Sequence, residues 1–100
     1  MNGEGNYPVK ENKELFEAIL KIKDSKEASA FFRDLLTIPE IEEFSRRWQI
    51  VKMLGQKKSY LTIAKKLEVS TTTVTRVAYW LNHGTGGYKT ILERTTKRSK

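Results

Sequence analysis

Residues 59–82 read SYLTIAKKLEVSTTTVTRVAYWLN, two short helical patterns that meet at a tight connection. In the first, Ile63, Ala64 and Leu67 recur at helical spacing and share one apolar stripe, and small Ala64 lets a second helix come close. Ser59 stands where an N-cap is needed. The second pattern opens at Ser70, another capping residue, and turns Val74, Val77 and Leu81 inward while Val69 plugs the connection. The spacing predicts a helix-turn-helix whose second helix presents Thr71, Thr72, Thr73, Thr75, Arg76 and Tyr79 outward.

Threonine is a mediocre helix former, so four of them at one helix start need a reason beyond solubility. In a major groove their hydroxyls can hydrogen-bond to base edges and their methyls can meet the thymine methyl. Helices of this kind read DNA with their first turns. Thr71, Thr72, Thr73 and Thr75 are therefore the candidate base contacts, and Lys57, Lys58, Ser59, Lys65, Lys66 and Arg76 the candidate phosphate contacts. The competing reading is an exposed Thr-rich helix in an ordinary bundle. Glu68 occupies the turn between Leu67 and Val69, where such motifs favour Gly. A left-handed backbone there would cost a glutamate about 1 kcal/mol, and the alternative is a different turn.

Charge supports the nucleic-acid reading. The chain has 100 residues and a net charge of +7, unevenly spread. Residues 1–44 carry six basic and ten acidic side chains, a net −4, whereas residues 45–100 carry thirteen and two, a net +11. The positive charge lies in the half that holds the helix-turn-helix, as an anionic partner requires.

Composition bounds the rest. A 100-residue chain with 38% hydrophobic residues can bury only a small core as a monomer, so self-association is expected. With no Cys, a single His and no ligand spacing among the carboxylates, neither a disulfide framework nor a metal or cofactor site is expected. No apolar run is long enough to span a bilayer, and no leader opens the chain, so a cytoplasmic protein without a membrane partner is expected. Residues 84–87 lack the preceding strand and the Lys-Ser/Thr ending of a phosphate loop and read as a hinge. Nothing resembles a catalytic constellation, so the protein is not read as an enzyme.

Taken in order, residues 1–11 read as a disordered arm, residues 12–96 as one helical domain and residues 97–100 as a basic tail. A first helix from about Asn12 carries Leu15, Phe16, Ile19 and Leu20, a stripe wider than one short helix needs. Asp24 or Ser25 caps the next, with Glu27 at the reciprocal position and Ala28, Phe31, Phe32, Leu35 and Leu36 apolar. Thr37-Ile38-Pro39-Glu40 predicts a capping box that opens the longest helix, to about Leu54, with Ile41, Phe44, Trp48, Ile50, Val51 and Leu54 inward. A last short helix spans about Tyr88 to Glu93. The expectation is all-α, six helices and no strand.

Residues 36–82 resemble the Trp repressor superfamily, and the ending Leu81-Asn82-His83-Gly84-Thr85-Gly86-Gly87-Tyr88 is similar to its TrpR-related YerC/YecD-type branch. The resemblance implies a Trp-repressor-like intertwined homodimer in which the first three helices of each subunit wrap around those of the other. It also implies a tryptophan corepressor pocket, to which Arg47 and Arg76 would correspond, with Leu36 and Thr37 of the other subunit at its edge. Two positions depart from the family: Val77 stands where it has Gly, and Trp80 where it has a small Ser. Both add bulk where the indole would lie, and overfilling costs about 1–3 kcal/mol or excludes the guest. The pocket is accordingly read as vestigial, with Trp80 either core or pocket lining. The function expected is a homodimeric regulator, a repressor, bound sequence-specifically to double-stranded DNA without a small effector. The alternative is a helical adaptor that holds a protein partner.

Overall fold

The computed structural model describes residues 6–98, with side chains through residue 96. Six helices and no strand occur among the described residues: α1 (Lys10–Ile19), α2 (Ser25–Leu35), α3 (Ile38–Gly55), α4 (Tyr60–Leu67), α5 (Thr71–His83) and α6 (Gly87–Arg98). The all-α, six-helix expectation is met. Two compact units divide the chain between Ile38 and Pro39.

The first unit holds α1 and α2, and none of its described residues is buried. The disordered arm expected over residues 1–11 needs correction where it can be seen, because Lys10 and Glu11 already belong to α1. The helix starts early because Asn12 Oδ1 accepts the Val9 N–H at 2.9 Å and satisfies a donor ahead of the first turn. The Tyr7 ring meets Phe16 edge to face, 6.3 Å between centroids. Residues 1–5 and the side chains of the tail at 97–100 lie outside the described residues.

Of the two caps considered for α2, Asp24 is the one used. Its Oδ1 accepts the Glu27 N–H at 2.8 Å, while Glu27 Oε1 reaches back to the Lys23 N–H at 3.0 Å. Phe16, Leu20 and Leu35 remain exposed, Leu20 at 81%. Apart from Tyr7 against Phe16, the described residues of this unit leave much of its apolar stripe uncovered.

The second unit has a core. Ile50 and Val51 of α3, Ile63 of α4 and Val74 of α5 are fully buried, joined by Met53, Ala64 and Val77. Full burial of one such side chain contributes about 1.5–3 kcal/mol. Trp48, Leu54, Leu67, Val69, Leu81, Tyr88 and Leu92 pack around that centre, and α5 lies against both α4 and α6. One expectation for α3 fails: Phe44 is 49% exposed, with the Arg47 guanidinium 5.7 Å above its ring. The buried residues of α3 all lie between Ile50 and Met53, so its first turns project beyond the core. At its other end, Gly55 lets α6 approach, since a Cβ there would sit 2.9 Å from Leu92 Cδ2. Helix α6 runs through Arg98, past the Glu93 expected from sequence.

Candidate nucleic-acid interface

The connection between α4 and α5 sets the geometry of the exposed face. Ser59 Oγ accepts the Thr62 N–H at 3.0 Å, and Ser70 Oγ accepts the Thr73 N–H at 3.0 Å, so both caps expected from sequence are made. Between them Glu68 adopts φ 59°, ψ 46°, the left-handed conformation. The Val69 N–H then donates to the Ala64 carbonyl at 3.0 Å, closing the turn while the Val69 side chain packs on the core. The strained alternative considered for Glu68 is therefore the one realised.

With Val74, Val77 and Ala78 held in the core, helical periodicity turns the opposite side of α5 to solvent. Thr71, Thr72, Thr75 and Arg76 are exposed, as is Tyr79. Thr73 differs from the other three threonines. It is half-buried, and its Oγ1 lies 3.0 Å from Ser70 Oγ in a hydrogen bond, so its hydroxyl serves the cap. Among the candidate phosphate contacts, Lys57, Lys58, Lys65, Lys66 and Arg76 are exposed. Ser59, also exposed, donates its hydroxyl proton to Thr62 Oγ1 at 2.8 Å.

The residues assigned to a vestigial pocket belong to both units. Leu36 and Thr37 fall in the first unit, and Arg47, Arg76, Val77 and Trp80 in the second. Val77 belongs to the buried core. Arg47 is committed within its own helix, its Nε 3.1 Å from Glu43 Oε2. Trp80 is 54% exposed, contrary to a core position. It lines an apolar groove of about 610 Å³ with Trp48, Tyr88 and Ile91, the Trp48 and Tyr88 rings 6.5 Å apart. Trp80 lies outside the cluster centred on Ile50 and Ile63, which leaves its ring on the groove wall.

Two features escaped the sequence reading. The rings of Tyr79 and His83, one turn apart on α5, meet at 4.9 Å between centroids, tilted by 38°, which the i,i+4 spacing could have shown. A second cleft, of about 430 Å³, gathers Lys57 and Lys58 from the turn after α3 with Lys89 from α6. The signal for it was the Gly84–Gly87 turn, which brings α6 back beside Gly55.

Comparison with known proteins agrees with this architecture. The model of the family described as Trp repressor protein matches residues 10–96. The uncharacterized protein YerC of Bacillus subtilis (strain 168) is 39% identical over 85 residues, covering 85% of this chain and 82% of YerC. A crystal structure of a TrpR-like protein from Eubacterium eligens ATCC 27750 superposes with a TM-score of 0.86 at 41% identity, covering 93% of this chain and 96% of that one. A Staphylococcus aureus protein described as a candidate Trp repressor gives 0.84 at 38% identity, covering 96% and 95%. With the fold, the helix-turn-helix and the match across nearly the whole chain in agreement, this protein belongs to the Trp repressor family.

Proposed function

We propose that the protein is a homodimeric, sequence-specific DNA-binding repressor whose α5 enters the major groove. The observation that carries this is the face of α5, where a satisfied cap at Ser70 leaves Thr71, Thr72 and Thr75 in solvent beside Arg76. Those three threonines contact base edges, and Thr73 stiffens the helix start that carries them. Lys57, Lys58, Lys65, Lys66 and Arg76 contact phosphates, and Ser59 sets the first turn of α4 among them. The +11 charge of residues 45–100 supplies the long-range attraction.

The uncovered apolar surface supports dimerisation. The first unit buries none of its described residues, and the groove at Trp48 and Trp80 stands open. A second copy supplies the missing cover. Two α5 helices related by a twofold then meet successive major grooves about 34–36 Å apart and read a pseudo-palindrome.

Tryptophan corepression is lost on this reading. Val77 is part of the core, Trp80 adds an indole of its own, and Arg47 is paired with Glu43. Selection of bound duplexes from a random pool, run with and without tryptophan, tests the proposal. The same pseudo-palindrome should emerge from both arms. Enrichment only with tryptophan would restore the corepressor, and no enrichment in either arm would favour the protein adaptor.

A further inference from the structure

The cleft at the end of α3 is built for an anion. Lys57, Lys58 and Lys89 stand on its rim with Tyr60 and Asn82, over an apolar floor that includes Leu81. No carboxylate lines it, and none of the three lysines makes an ion pair among the described residues. Three unneutralised ammonium groups, two from the turn between α3 and α4 and one from α6, repel one another, a cost that an incoming anion removes.

The backbone at Lys57 is an independent observation. Its φ of 66° places it in the left-handed region, where Gly is the economical residue. The turn is fully closed around it: the Lys57 N–H donates to the Leu54 carbonyl at 3.0 Å and the Lys58 N–H to the Met53 carbonyl at 3.1 Å. A lysine is thus held at a conformation that disfavours it, at the mouth of a basic cleft. Strained positions of this kind concentrate at functional sites.

We propose that this cleft seats a backbone phosphate of the bound duplex, beyond the bases met by α5, and that Lys89 of α6 is a contact of the interface. The occupant is a deoxyribose phosphate because the cleft pairs a cationic rim with an apolar floor, and because it adjoins Ser59 and Tyr60, where the helix-turn-helix begins. The sugar rests on Leu81 while Lys57, Lys58 and Lys89 surround the phosphate. The proposal rests on the DNA-binding reading above.

Two variants test it, Lys89→Gln and Lys57→Gly, the second of which removes a charge while easing the turn. Each should weaken selected and random duplexes by the same factor and make the slope of log K against log salt shallower by about 0.9. Ethylation of one phosphate outside the selected site should weaken the parent and leave Lys89→Gln unaffected. Wild-type slopes in both variants, with sequence preference still sensitive to Thr72, would overturn the cleft alone. Failure of the parent to bind duplex would overturn both proposals. A rise in thermal midpoint with inorganic phosphate, without any change of salt slope in the variants, would assign the cleft to a free anion instead.

Discussion

Thr72 and Thr73 are adjacent and chemically identical, yet they stand in different environments. Thr72 is exposed, whereas Thr73 shares a hydrogen bond with Ser70. Thr72→Ser removes a methyl from the proposed interface and should change which base pairs are enriched in a duplex selection. Thr73→Val should leave that preference intact and lower stability by about 0.5–1.5 kcal/mol in a denaturant titration. Glu68 offers a second contrast at this scale. Its left-handed backbone has no need of the carboxylate for the turn, so Glu68→Gly should stabilise the fold by about 0.5–1 kcal/mol, seen as a higher thermal midpoint. The two positive-φ positions, Lys57 and Glu68, were unequally legible in the sequence. Glu68 sits in a recognisable motif with a known turn; Lys57 follows a glycine two residues earlier, which suggests a helix end without fixing which residue turns left-handed.

Among the helices, what could be read from sequence was what local chemistry determines. The starts of α4 and α5 follow from Ser59 and Ser70, and the buried face of α5 from the spacing of Val74 and Val77. Ser70→Ala should cost about 1 kcal/mol, measurable as a lower denaturation midpoint at unchanged slope. The same logic misplaced Phe44 and left Trp80 open between core and pocket lining, because periodicity marks a residue as apolar without saying which neighbour covers it. Ile50 finds its cover within the chain; Phe44 does not. The cleft at Lys57 and Lys89 was only partly legible for a related reason, since the Gly84–Gly87 turn marks a return of the chain without fixing how α6 comes back toward the end of α3.

For the whole molecule, charge and apolar surface divide the labour. The acidic half contains α1 and α2 with their uncovered stripes, and the basic half contains the helix-turn-helix. If a second copy closes the groove at Trp48 and Trp80, placing a charge there should break the assembly while sparing the core around Ile63. Trp80→Glu should therefore sediment as a monomer, keep its helical circular dichroism over the second unit and lose duplex affinity. A dimer that survives this substitution would place the self-association surface elsewhere.

The bareness of α1 and α2 has a kinetic corollary. If a second copy covers these helices, as proposed, their folding should be second order in protein, whereas the second unit, with a core of its own, should fold in first order. Dilution would then unfold α1 and α2 and weaken the proposed duplex binding in the same step while the second unit keeps its core, so binding would depend on protein concentration more steeply than a preformed binder allows.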